Sequence, residues 1–336
     1  MSNLNPKLFS AGGGQGQDVE RVAIRDGYGK GLLQAGKENE NIVALSADLT
    51  ESTKTNLFAE AFPKRFFEMG VAEANMAAVA SGMAAMGAVP FMASYAMFSP
   101  GKNWEQIRTT ICYNNVNVKI VGAHAGISVG PDGGTHQAIE DIAITRVLPR
   151  ITVLVPCDAI EAEKATLAAA KMNGPVYIRL AREKTPIVTT KEAPFSIGKA
   201  EVIYKNNAEG DKKIGIVACG SLVYSALLAA KELEKDGFSV GVLNLSTIKP
   251  LDGYTLSNFA KEYRGLVTVE EHQIAGGMGS AVVEFFASTL LVPIEFIGVK
   301  DKFGQSGKPE ELLRHYKMDI PSIKEAAQRL VKRIYR

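Results

Sequence analysis

Short runs of Val, Ile, Leu and Ala recur along this chain, each followed by a longer stretch with helical spacing, and this alternation most restricts the possible folds. The runs at 42–45, 116–121, 151–155 and 176–180 are brief and β-branched, whereas 75–88 and 159–172 carry helical patterns. Strands alternating with helices specify βα units around a mostly parallel sheet. A ligand then belongs at the carboxyl ends of the strands, where the loops gather.

The alternation breaks near 186–200, which holds two prolines and mixed polar residues, a breaker composition. It then restarts, with strands expected at 214–218, 240–245, 265–269 and 292–297. Helices are expected at 222–235, 254–263 and 278–286, with a final basic helix at 323–335. The expectation is therefore an α/β protein of two domains, 19–187 and 200–336, joined by a linker at 188–199. Residues 1–18, with the run Gly12-Gly13-Gly14-Gln15-Gly16, read as a flexible arm.

Charge narrows the function classes. Thirty-eight basic residues face 36 acidic ones, a net charge of +2, so binding to nucleic acid or a membrane surface through bulk charge is excluded. An anionic ligand must be met by a local cluster. Cys112, Cys157 and Cys219 form no C-x-x-C pair, which suits reduced core thiols and a cytoplasmic location. No run approaches about 20 apolar residues, and the N-terminus lacks an export signal. A soluble, unexported chain is expected.

Four clusters carry the chemistry. In Met69-Gly70-Val71-Ala72-Glu73-Ala74-Asn75-Met76 a lone carboxylate opens an almost wholly apolar helix. Such a group is partly desolvated and suited to hydrogen bonding or proton transfer, although a first-turn Glu is also favoured by the helix dipole alone. The second cluster runs from His124 through Asp132 to His136 and Gln137. It places four glycines, a proline, an aspartate and two of the four histidines within 13 residues, between a strand and a helix. So much backbone freedom beside titratable groups points to substrate handling. A structural turn is the plainer reading, and a metal site would need a ligand spacing that is missing. Arg25, Ser52 and Arg182 are scattered anion candidates, each ordinarily a surface residue. Tyr95 and Phe98, three apart in an apolar stretch, either pack in the core or form one wall of a flat pocket. There is no G-x-x-x-x-G-K-[ST] or H-E-x-x-H motif. Gly27-Tyr28-Gly29-Lys30-Gly31 falls inside a helical pattern and is set aside.

In this order, over nearly the whole chain from about residue 19, the clusters resemble the C-terminal half of transketolases. The most specific element is His124 with Gly130-Pro131-Asp132-Gly133-Gly134-Thr135-His136-Gln137, similar to the family's H…G-x-D-G-x-T-H-Q loop. Ser46-Ala47-Asp48-Leu49-Thr50, the sequence around Glu73, and Phe303-Gly304-Gln305-Ser306-Gly307 also fit. The resemblance implies a thiamine-diphosphate enzyme that moves two-carbon ketol units between the sugar phosphates of pentose phosphate metabolism. Glu73 would hydrogen-bond the aminopyrimidine, Tyr95 and Phe98 would pack against that ring, and Asp48 would lie near the cofactor. Arg25, Ser52, His124 and Arg182 would hold the phosphate end of the substrate. Asp132 would read a hydroxyl configuration, and His136 would sit beside the reacting carbonyl.

Two positions depart from the family pattern. Asn75 stands where a histidine is common, and Gly101 where a third aromatic often follows. The G-D-G…N motif that holds the diphosphate and its Mg²⁺ or Ca²⁺ is absent, since Gly210-Asp211 is followed by Lys212. The resemblance thus implies half a cofactor site with no metal ligand in this chain. An N-terminal partner subunit of roughly 250–300 residues would complete it in an α2β2 assembly. The rival readings are a 1-deoxy-xylulose-5-phosphate synthase, a 2-oxo-acid dehydrogenase beta subunit, and a non-catalytic regulatory subunit.

Overall fold

The computed structural model describes residues 3–9, 19–206 and 212–334. Its first half runs β1 (Arg21–Ala23), α1 (Ile24–Glu38), β2 (Ile42–Ser46), α2 (Asn56–Ala61), β3 (Phe66–Glu68), α3 (Glu73–Ala85) and β4 (Val89–Tyr95). There follow α4 (Trp104–Gln106), which continues as a π-helical stretch Ile107–Cys112, then β5 (Lys119–Ala123), a 3-10 stretch Ile127–Asp132, and α5 (Asp141–Arg146). β6 (Thr152–Leu154), α6 (Ala159–Lys171), β7 (Val176–Arg179) and β8 (Lys184–Pro186) complete it.

The second half has β9 (Glu201–Lys205), β10 (Lys213–Ala218), α7 (Val223–Lys235), β11 (Ser239–Asn244), β12 (Thr247–Lys249) and α8 (Gly253–Glu262). It ends with β13 (Gly265–Gln273), α9 (Met278–Ala287), β14 (Ile294–Val299), α10 (Pro309–His315) and α11 (Ile320–Ile334). The α/β expectation is borne out. Six strands form a parallel sheet in the order β6-β7-β5-β4-β2-β3, and a second sheet runs β14-β13-β10-β11-β9. β5 is buried at every position, as a strand covered on both faces requires.

One feature breaks the separation of the halves. β12 leaves the second half and pairs antiparallel with β6, Thr247 opposite Leu154, at the edge of the first sheet. No local pattern in a three-residue strand announces such a crossing.

Tight helix packing explains the set-aside glycines. Gly27 and Gly31 lie in α1 against α6, where a methyl group on Gly27 would fall onto the Ala159 carbonyl and one on Gly31 would lie 2.8 Å from Thr166, while Gly29 faces Lys54, whose carbonyl a methyl group would approach to 2.7 Å. Of the stretch read as an arm, Pro6–Phe9 forms a 3-10 turn and Leu8 is buried in the second half's core. The glycine run falls outside the described residues.

Candidate functional site

The candidate groups collect at the carboxyl edge of the first sheet because each strand there ends in its own loop. β4 delivers Tyr95 and then Phe98, β5 delivers His124, and β7 is followed by Arg182. Arg25 joins them from the first turn of α1.

Four rings meet. Tyr95 and Phe98 lie nearly parallel, 17° apart with centroids at 6.0 Å, and the His124 ring stacks on Tyr95 at 3.8 Å. His136 presents its edge to Phe98 at 5.4 Å. Tyr95 and Phe98 are only half-buried, so part of this aromatic wall stays open rather than packing in the core. His124 sits at φ 55°, a conformation an ordinary residue adopts at a cost of about 1 kcal/mol or more.

Electrostatics separate the two histidines. Arg25 Nη1 lies 2.9 Å from His124 Nε2. Burial, reinforced by Arg25, Arg182 and His136, pushes the His124 imidazole down to about 3. Burial also lowers the Arg25 guanidinium, with Arg182 adding to the effect. His124 Nδ1 and Arg25 Nε are buried with no hydrogen-bond partner among the described residues. Buried polar atoms of that kind call for an explanation, and a polar ligand would provide one. Arg182 donates to the Val129 carbonyl at 2.9 Å and to Glu183 at 3.0 Å. His136 Nδ1 lies 2.9 Å from the Thr135 hydroxyl.

Glu73 opens α3 and is 2% exposed. Its Oε2 accepts from Lys102 Nζ at 2.8 Å, while its main-chain carbonyl accepts from Asn103, which also donates to Ser99. The segment after Phe98 thereby ties the carboxylate to the aromatic wall. Oε1 accepts no hydrogen bond among the described residues, and the Oδ1 of buried Asn103 has no partner there either. Position 101 leaves no room for an aromatic, because a side chain on Gly101 would collide with the Met97 carbonyl.

Lys102 and Asn103 escaped the sequence reading, since nothing in their spacing marks a partner 29 or 30 residues away. Glu68 escaped it as well. Its carboxylate accepts from Asp48 N at 2.7 Å, Gly70 N at 3.0 Å and the Thr50 hydroxyl at 2.8 Å. It holds the Asp48 turn, at φ 59°, beside the turn that leads to Glu73. The side chains of Asp48, Ser52 and Asp132 make no hydrogen bond or ring contact with the cluster among the described residues. Two cavities, of about 350 Å³ beside Glu38 and Lys171 and about 950 Å³ beside Phe9 and Tyr204, lie elsewhere.

Residues 20–188 match the family model for the transketolase pyrimidine binding domain, and residues 198–323 that for the transketolase C-terminal domain. A putative transketolase C-terminal section from Methanocaldococcus jannaschii is 43% identical, covering 89% of this chain and 93% of that one. A 6-deoxy-6-sulfo-D-fructose transketolase subunit from a Clostridium species is 36% identical, covering 94% and 96%. The mouse transketolase matches at 35% identity across 93% of this chain, but only 49% of its own length. A solved structure described as a split gene transketolase, inactive beta4 tetramer, superposes with a TM-score of 0.85 at 42% identity, covering 93% of this chain and 99% of that one.

Proposed function

The chain belongs to the transketolase family, and from that premise we propose that it is the C-terminal half of a thiamine-diphosphate-dependent enzyme transferring two-carbon ketol units between sugar phosphates. In this proposal residues 19–187 form the pyrimidine-binding domain, 188–199 a linker and 200–336 the C-terminal domain. The observation that carries it is a buried carboxylate with one oxygen unbonded among the described residues, tied by one short segment to two near-parallel half-exposed rings.

These residues fit the pyrimidine end of the cofactor. Glu73 supplies a desolvated acceptor, which water would otherwise weaken, and Tyr95 and Phe98 offer flat apolar surface. When bound, the cofactor supplies the carbanion stabilisation that breaking a ketose C–C bond requires. What remains for the chain is to position, polarise and exclude water. Lys102 keeps Glu73 oriented. Arg25 and Arg182 bring positive charge towards the phosphate, with His124 between them as a neutral hydrogen-bonding group. His136, at the edge of the rings, faces the reacting carbonyl. Ser52 and Asp132 complete the sugar contacts, and Asp48 lies at the cofactor's edge.

Relatives of this same length named as a transketolase C-terminal section, a transketolase subunit and a split gene transketolase support an N-terminal partner chain that holds the diphosphate and its Mg²⁺ or Ca²⁺ through the G-D-G motif not found in this sequence. The natural assembly is α2β2. A cytoplasmic location fits three buried, unpaired cysteines; among the described residues no helix is long and apolar enough to cross a membrane.

The test is ketol transfer from xylulose 5-phosphate to ribose 5-phosphate, with thiamine diphosphate and Mg²⁺, by this chain with and without its partner. Turnover should require both chains. Glu73→Ala should assemble normally and lose roughly 10²- to 10⁴-fold in kcat, the range for a proton-handling group. Lys102 is half-exposed, so losing the pair costs little stability. Near-normal turnover by that variant, or decarboxylation of pyruvate in place of ketol transfer, defeats the reading.

A further inference from the structure

The second half has no residue among the ring cluster, yet it lies directly on the loop that carries His124, Asp132 and His136. Glu271, near the carboxyl end of β13, is 2% exposed. Its Oε1 accepts from the Ser128 main-chain N–H, and its Oε2 accepts from the Ser221 hydroxyl at 2.7 Å. The return limb of the loop is held too, because Gln273 N donates to the Ile139 carbonyl at 2.8 Å.

The segment 304–309 covers the rest. A methyl group on Gly126 would lie 2.6 Å from the Glu271 carboxylate, one on Gly133 2.5 Å from the Ser306 hydroxyl, and one on Gly134 2.7 Å from the Gly304 carbonyl. Gly130 lies against Pro309, at 3.2 Å by the same measure. Buried Gln137 donates both to the Ile127 carbonyl, inside the loop, and to the Gln305 carbonyl, outside it, each at 3.0 Å. The loop's glycines therefore answer to close approach by the second half as much as to any substrate.

We propose that Glu271 is a positioning residue, and that the second half acts as the rigid back wall holding the 124–137 loop in its sugar-binding shape. The functional part rests on the reading of that loop as the substrate loop. A carboxylate shared between a loop amide and a hydroxyl of its own half fixes the loop against the second sheet. The first half alone anchors the loop at its ends, through Ala125 N to the Leu180 carbonyl and Gly126 N to the Ala138 carbonyl, and in its middle by the single bond from Arg182 Nη1 to the Val129 carbonyl. Releasing the middle would let His124 and His136 drift relative to each other, while Glu73, Tyr95 and Phe98 stay in place.

The experiment uses the full chain, alone and with its partner, as wild type, Glu271→Ala, Glu271→Gln and Ser221→Ala. Amide exchange is read at 126–130, and ketol transfer from xylulose 5-phosphate to ribose 5-phosphate gives kcat and KM. Glu271→Ala should speed exchange at Ser128 about tenfold or more, as loss of a protecting bond does. It should lower kcat/KM roughly 10- to 100-fold, mostly through KM, while thiamine diphosphate binds with unchanged affinity. Glutamine keeps an acceptor for Ser128 N–H and a donor for Ser221, so it should restore most of both. Should Glu271→Ala fail to fold, Ser221→Ala carries the test, with smaller shifts in the same directions. Wild-type exchange at Ser128 in the folded alanine variant overturns the proposal, as does faster exchange with unchanged kcat/KM. If the wild-type complex transfers no ketol group, the functional reading fails, and the exchange data alone decide whether Glu271 holds the loop.

Discussion

Arg25 can only donate hydrogen bonds, so the His124 Nε2 lying 2.9 Å from its Nη1 must accept. A neutral imidazole then carries its proton on Nδ1, the atom left buried without a partner. Neutrality follows from the environment, since burial and two neighbouring guanidiniums hold the ring down to about 3. His124 thus presents a fixed, uncharged donor to whatever enters, while Arg25 and Arg182 supply the charge. In ¹⁵N NMR the His124 ring should keep the Nδ1–H tautomer and show no titration between pH 8 and 5. A midpoint near the ordinary value of about 6.5 would contradict this. The sign for stability follows. The unfolded chain protonates this histidine near 6.5 and the folded one near 3, so its contribution is full above 6.5 and is lost as the pH falls towards 3.

Among the elements, α1 and α6 show how far packing outruns pattern. Their contact has no space for a methyl group at Gly27, which would meet the backbone of Ala159 rather than a movable side chain. Gly27→Ala raises helix propensity by up to about 1 kcal/mol, but overpacking against rigid backbone costs about 1–3 kcal/mol or more. The net effect should be a loss of about 2 kcal/mol in urea unfolding, and a gain in stability would show that the two helices slide apart freely. Legibility in the sequence follows the same division. The βα alternation and the desolvation of Glu73 follow from local periodicity and appear where expected. The Lys102 ion pair, the transfer of β12 into the first sheet and the second-half cover on the loop glycines were not legible. Each joins residues distant in the chain that carry no mutual mark.

At the scale of the whole molecule, two sheets need not mean two independently folding units. One apolar cluster runs from Leu45, Met76 and Ile120 in the first half to Leu243, Phe259 and Met278 in the second. Arg179, 5% exposed, donates to Asp141 at 2.7 Å and to the Glu271 main-chain carbonyl at 2.8 Å. Pulling the halves apart would strip that pair of its cover and its third partner, a costly change for buried charges. It would also unpair β12 from β6. Independent unfolding of either half therefore exposes the other's core, and the two should melt as one cooperative unit. Trp104 makes this measurable. As the single tryptophan, donating to the Ile144 carbonyl at 2.6 Å, it is anchored in the first half, while far-UV circular dichroism reports on the whole chain. Urea curves from the two probes should superimpose. A tryptophan transition clearly separated from the dichroism midpoint would mean that the interface does not couple the halves, and the second half could not then serve as a rigid wall for the first.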